Sequence, residues 1–164
     1  MNNMQEKDTT SRASRQVLAE KAWLGVGRSY NLCDVVLASR LGELGLRVGE
    51  HEVLAHIALA PGITQQELAR RCFVAKSGLS MLLTRMEQQG WLRRESDARD
   101  GRIKRLFLER TGDALATKSL QIQAEVVEIR TSMLSDEELT LLNGIAERVC
   151  TQLEASFTGP WPMP

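Results

Sequence analysis

Residues 93–110, RRESDARDGRIKRLFLER, place seven basic and four acidic side chains around one short Asp/Gly-containing turn. Guanidinium and ammonium groups gathered this way suit binding rather than bond-making, because they meet anions, phosphate oxygens above all, through charge-assisted hydrogen bonds. The flanks of the turn are patterned. Trp91, Arg93 and Glu95 fall opposite Leu92, Arg94 and Ser96 before it, and Ile103, Leu106, Phe107 and Leu108 mix with Lys104 and Arg105 after it. This predicts two short antiparallel strands joined by an exposed, charged loop.

The whole chain of 164 residues balances at 21 basic and 21 acidic groups, yet it is polarised. Residues 1–69 carry 7 basic and 8 acidic groups, residues 70–110 carry 11 and 5, and residues 111–164 carry 3 and 8. A central segment of net +6 can attract a polyanion that the flanks repel, or it can be a solvated face. Charge alone does not choose between them.

Other chemistry finds little support. His51 and His56, five residues apart on one helix, point about 140° away from each other and do not make a metal pair. No nucleophile motif, P-loop or Rossmann glycine pattern occurs, so neither an enzyme nor a cofactor is expected. Cys33, Cys72 and Cys150 form no CxxC pair and suit buried, reduced thiols. The polar start MNNMQEKDTTSRASR lacks a secretory signal, and no run approaches the ~20 apolar residues of a membrane span. The expectation is one cytoplasmic domain over residues 15–157, with flexible segments at 1–14 and 158–164.

The elements that would position the basic turn are mostly helical. From residue 12 to 44, Trp23, Val26, Tyr30, Cys33, Leu37, Leu41 and Leu44 recur three or four apart on one face of a long helix. LRVGEHEVLAHIALAPG reads as a second helix, with Gly49 as its cap, Glu52 three residues on, and Pro61-Gly62 as its stop. In ITQQEL, Thr64 can cap the backbone N–H of Glu67 while Glu67 reaches back and Ile63 packs on Leu68. After the connector CFVA, the stretch KSGLSMLLTRMEQQG turns Leu79, Leu82, Leu83 and Met86 inward. It leaves Lys76, Ser77, Ser80, Met81, Thr84 and Arg85 outward, with Gly90 at its C-cap. Two helices joined by a turn and followed by a basic hairpin predict a winged helix-turn-helix. Beyond it, a helix over residues 111–133 precedes another opened by Ser135 and Glu138 as a capping box. That last helix carries the stripe Leu139, Leu142, Ile145, Val149, Leu153 and Phe157.

Over residues 23–153 the chain resembles the MarR family of bacterial transcription regulators, most closely in GITQQELARRCFVAKSGLSMLLTRMEQQGWLRRESDARDGRIKRLFLERTG. Asp97, Arg99, Asp100 and Arg102 resemble the family's DxRDxR wing signature. The resemblance implies a mainly α fold with a small β-hairpin wing, a DNA-binding lobe over residues 46–110, and dimerisation helices over 15–45 and 111–157. It implies a homodimer straddling a pseudo-palindromic operator on double-stranded DNA, most often as a repressor, with release by a small aromatic or phenolic effector.

Physical reasoning distributes the residues. Ser77, Ser80, Met81 and Arg85 on the fourth helix are placed near base edges in the major groove. Thr64, Gln65 and Lys76, near helix N-termini, suit phosphates. Arg99 or Arg102 suits the minor groove, with Asp100 orienting one of them, and Lys104 joins the DNA-binding set although it and Arg105 are equally suited to a solvated charge. The resemblance implies an effector pocket between the first helix, the fifth helix and the DNA-binding lobe, which makes Trp23, Tyr30 and His51 its candidates by aromatic or polar reach.

Several positions depart from the family pattern. Gly78 and Met81 stand where contacting or polar side chains are common, Glu109 replaces a capping Thr, and Arg47 replaces a frequent Thr. Two alternatives to a repressor stay open here: a winged helix used for protein contact without DNA, and a redox sensor acting through a cysteine such as Cys72.

Overall fold

The computed structural model describes the backbone of residues 2–72 and 76–156, with side chains described for 12–72 and 78–156. The connector residues 73–75, the side chains of Lys76 and Ser77, and residues 157–164 with Phe157 and the expected flexible tail lie outside the described residues. The chain forms two compact units, residues 1–36 and residues 37–164. Among the described residues no helix is long and apolar enough to cross a membrane.

Helix α1 spans Asn2–Gly42, so residues 2–14, expected as a flexible segment, are helical. The reason is local: no Pro or Gly interrupts residues 2–24, and Gln5, Glu6, Lys7, Ala13 and Arg15 are good helix formers. The single apolar face expected for α1 is also incomplete, since Val17, Leu24, Leu32 and Val35 are exposed on turns lying off the Trp23, Val26 and Tyr30 side. Burial begins only toward its C-terminal end, where Leu41 is fully buried. Gly45, at φ 68, then turns the chain, and the Leu46 N–H returns to the Leu41 carbonyl at 3.1 Å.

The second unit is the winged helix-turn-helix that the pattern predicted. Helix α2 (Val48–Leu59) is capped at Arg47, two residues before the expected Gly49, and Glu50 rather than Glu52 reaches back to the Arg47 N–H at 2.8 Å. An arginine side chain has no acceptor, so only this half of a capping box forms. Helix α3 (Gln65–Arg71) shows the opposite half. Thr64 Oγ1 accepts from the Glu67 N–H at 3.1 Å, while the Glu67 carboxylate turns away to Arg71 at 2.6 Å. The one-turn spacing of that ion pair outcompetes the expected reach-back.

Helix α4 (Lys76–Gln88) ends at Gly90, whose φ of 70 lets the Trp91 N–H close on the Met86 carbonyl at 3.0 Å. Strands β1 (Leu92–Ser96) and β2 (Lys104–Leu108) pair antiparallel, with Leu92 opposite Leu108 and Ser96 opposite Lys104. Leu41, Leu54, Ile57, Leu68, Leu79, Leu83, Met86, Leu92 and Leu106 form one core beneath α4 and the hairpin. Each such side chain contributes roughly 1.5–3 kcal/mol relative to exposure.

Helix α5 (Arg110–Thr131) packs on α2 and begins with no side-chain cap at Glu109, the position where a capping Thr is missing. Instead the Glu109 N–H bonds the Trp91 carbonyl at 2.9 Å, which draws the two backbones together. A Cβ on Gly112 would lie 1.8 Å from that same carbonyl oxygen, so glycine is obligatory there. Helix α6 (Asp136–Ser156) opens with the complete expected box, Ser135 N–H to Glu138 at 2.9 Å and Glu138 N–H to Ser135 Oγ at 3.2 Å. It buries none of its residues, and Leu142, Ile145, Val149 and Leu153 remain exposed.

Cys72 is buried, Cys33 half-buried and Cys150 exposed, and none of the three is in a disulfide among the described residues. Burial first, and the nearby Glu52 carboxylate second, push the Cys72 thiol up to about 12. Two outcomes are expected. Gly112→Ala should cost on the order of 3 kcal/mol in a urea unfolding curve, while Gly101→Ala, where a Cβ meets nothing within 4 Å, should change it by less than about 0.5 kcal/mol. Iodoacetamide at pH 8 should leave Cys72 unlabelled in the folded protein and label it readily in denaturant, followed by peptide mass spectrometry; equal rates in both states would contradict the burial described.

Candidate nucleic-acid interface

The wing is organised by a residue that sequence reasoning treated only as part of a signature. Asp97 Oδ1 accepts from the backbone N–H groups of Arg99 at 2.8 Å and Asp100 at 3.2 Å, and its other oxygen accepts from Arg105 Nε at 2.5 Å. The Asp97 N–H donates to the Ile103 carbonyl at 2.9 Å, and the Ile103 N–H donates to Asp100 at 2.9 Å, closing the loop. These donors, led by the Arg99 N–H, hold the Asp97 carboxyl below the usual carboxylate range. Asp100 then takes its expected part. Its Oδ1 accepts from both the N–H and Nε of Arg102, at 3.0 and 3.2 Å, leaving a guanidinium that is 93 % exposed but fixed in direction.

Six of the seven cations of residues 93–110 lie on the hairpin and divide into two sets, which their spacing alone does not reveal. Arg94 binds Glu87 of α4 through its backbone N–H at 3.1 Å and through Nε at 2.9 Å, and the second guanidinium arm also meets Glu87. That contact, chiefly the side-chain bond, draws the Glu87 carboxyl below its ordinary value. Arg93 lies over the Phe107 ring at 5.0 Å and pairs with Glu95 at 2.8 Å and Glu109 at 3.6 Å. Arg105, read as equally suited to a solvated charge, instead spans from Asp97 to the Gly62 carbonyl at 2.9 Å. These three brace the hairpin. Arg99 and Arg102 face solvent at the tip, and Lys104 is exposed beside Ser96 Oγ at 2.7 Å.

Thr64, Gln65, Arg102 and Lys104 line one cleft of about 310 Å³, together with Gln66, Ala69, Leu79 and Ile103. Four of the expected contact residues, drawn from α3 and the wing, are thus brought together. On α4, Met81 is 73 % exposed and Ser80 is half-buried. The Thr84 hydroxyl donates to the Ser80 carbonyl at 2.9 Å and accepts from Arg94 at 3.3 Å. A Cβ on Gly78 would meet nothing within 4 Å, so the surface of α4 is shallow at that position. Arg85 does not join this group as expected; its guanidinium is held at 2.6 Å by Glu50, a carboxylate that is 5 % exposed at the start of α2. That pairing was hidden in the sequence because the two residues are 35 positions apart.

The effector candidates occupy different settings. Trp23 lines an open groove along α1 with Leu24, Gly27, Asn31 and Val35, and Tyr30 is 70 % exposed. His51, within the second unit, is buried on α2, hydrogen-bonded to Gln123 of α5, with Nδ1 unpartnered. Burial lowers its basicity despite that bond.

Comparison with known proteins accords with this geometry. A model described as the MarR family matches residues 44–103, the lobe from the end of α1 to the wing. The transcriptional regulator HosA of Escherichia coli is 32 % identical over 100 residues, covering 61 % of this chain and 74 % of HosA. An uncharacterized HTH-type transcriptional regulator of Bacillus cereus is 28 % identical over 128 residues, covering 77 % of this chain and 85 % of its own. Among solved structures, AbsC, a MarR family transcriptional regulator from Streptomyces coelicolor, superposes with a TM-score of 0.77 at 25 % identity, over 83 % of this chain and 94 % of AbsC. A mutant MarR from Escherichia coli complexed with operator DNA gives 0.69 at 24 % identity, over 76 % and 89 %. With the fold, the braced wing and these relatives in agreement, the chain belongs to the MarR family of transcriptional regulators.

Proposed function

We propose that the protein is a homodimeric, cytoplasmic repressor that binds a pseudo-palindromic operator and is released by a small aromatic or phenolic effector. The observation that carries the DNA-binding part is the separation of the wing cations. Arg93, Arg94 and Arg105 are engaged in bracing, whereas Arg102 and Lys104 stand outward beside Thr64 and Gln65, and Arg99 is exposed at the tip. In this reading Thr64, Gln65, Lys76 and Lys104 meet phosphates, where they fix register. Arg99 and Arg102 enter the minor groove, with Asp100 aiming Arg102. Ser77, Ser80 and Met81 lie at base edges, and the shallow α4 surface makes sequence preference depend on shape and wing as much as on direct hydrogen bonds.

The dimer is supported by apolar surface that one chain leaves uncovered. α6 exposes its stripe and α1 exposes apolar side chains on more than one side, and such helices need a neighbour. Effector release rests on family resemblance, with Trp23, Tyr30 and His51 as candidates. A role for Cys72 as a redox switch is disfavoured by a thiol pushed to about 12.

Two measurements test this. Sedimentation of the purified protein without DNA should give a dimer and no folded monomer at micromolar concentration; a stable monomer there would remove the dimer. Gel shifts on the DNA upstream of the protein's own gene should show a specific complex. On that duplex Arg99→Ala or Arg102→Ala should cost roughly 1–3 kcal/mol and lower the magnitude of the salt slope, with the melting curve unchanged. Wild-type affinity in both variants, with the fold intact, would reduce the wing tip to a solvated hairpin.

A further inference from the structure

Glu50 is the most deeply buried carboxylate in the DNA-binding lobe among the described residues, and both of its oxygens are occupied. Oε2 accepts from the Arg47 N–H at 2.8 Å and so starts α2, and Oε1 accepts from Arg85 at 2.6 Å. One side chain therefore serves two elements, the N-terminus of α2 and the helix whose outer surface faces DNA. Arg85 itself is still 43 % exposed and projects from α4 one turn beyond Met81. Without its partner, a guanidinium on that helix has the length to reach any nearby phosphate. Such a contact adds affinity for every sequence equally.

We infer that Glu50 is a specificity-determining positioning residue: by holding Arg85 against α2 it keeps an indiscriminate cation off the DNA backbone and fixes the rotation of α4 about its axis. The inference rests on the DNA-binding reading above. It differs from ordinary stabilisation in its signature, because releasing Arg85 should strengthen binding to random DNA while weakening discrimination. A merely structural loss would weaken binding to both.

The test uses the full chain, the tightest duplex recovered from a randomised pool, and a random-sequence duplex of equal length, each titrated across a salt series. Glu50→Gln keeps an amide oxygen for the Arg47 N–H but removes the charge that holds Arg85. It should raise the magnitude of the salt slope on random duplex by about one and narrow the selected-to-random affinity ratio by about 5-fold or more. In an Arg85→Gln background the same change should move neither quantity. If Glu50→Gln does not fold, Glu50→Asp, which keeps negative charge at the start of α2 but withdraws it from Arg85, should behave as Glu50→Gln was expected to. An unmoved slope and ratio in a folded Glu50 variant, or an equal shift without Arg85, overturns the inference while wild-type binding leaves the DNA-binding reading standing. Failure of the wild-type protein to enrich or bind any duplex overturns that reading and this inference with it.

Discussion

Two backbone hydrogen bonds decide where the wing points. The Gly62 N–H donates to the Leu106 carbonyl at 2.8 Å, and the Leu106 N–H donates to the Ile63 carbonyl at 3.0 Å, so the α2–α3 turn lies along β2 as a third short edge. That docking needs Gly62, whose φ is 82 and whose Cβ would meet the Phe107 ring at 3.3 Å. It also covers one side of a two-stranded ribbon that would be marginal alone. From there the geometry is inherited outward: Arg105 clasps the Gly62 carbonyl and Asp97, Asp97 holds the loop backbone, and the loop presents Arg99 and Arg102.

The acidic residues within the basic segment are therefore what give its cations direction. Glu87, Asp97, Asp100 and Glu95 each engage an arginine, and most of these pairs are exposed enough to add little to stability. Their effect is positional, turning a diffuse excess of charge into a few guanidinium groups with fixed aim. Because the folded pKa values of Glu87 and Asp97 are depressed, what these pairs do contribute is fully present above the ordinary carboxylate range and is lost as pH falls below that range through the lowered folded values.

The element order was legible in the sequence because its signals are local: the Thr64 cap, the leucine spacing of α4, Gly90 at its end, the alternating wing and the Ser135–Glu138 box each reside within a few residues. The wing tip was legible for the same reason, since Asp100 and Arg102 are two residues apart. What escaped was non-local. Glu50 and Arg85 are separated by 35 residues and Arg105 and Gly62 by 43, so no periodicity or spacing marks them as partners. Local competition accounts for the rest, as where Arg71 takes the Glu67 carboxylate from the cap, or where Arg47 offers no acceptor and shifts the box to Glu50. The single apolar face drawn for α1 is incomplete because the helix carries apolar residues on several sides, and a one-stripe template registers only the best of them.

The same surplus of apolar surface bears on how a lobe of this kind could select an operator. One recognition helix and one wing read only a few base pairs, and among the described residues of α4 Met81 is prominent and Gly78 is bare. Discrimination built from such a surface must come from requiring two lobes to engage at once at a set separation, which a two-fold dimer does by matching half-sites about one helical turn apart. In the proposed dimer the exposed stripe of α6 and the many-sided α1 are then part of sequence recognition, since they set that separation.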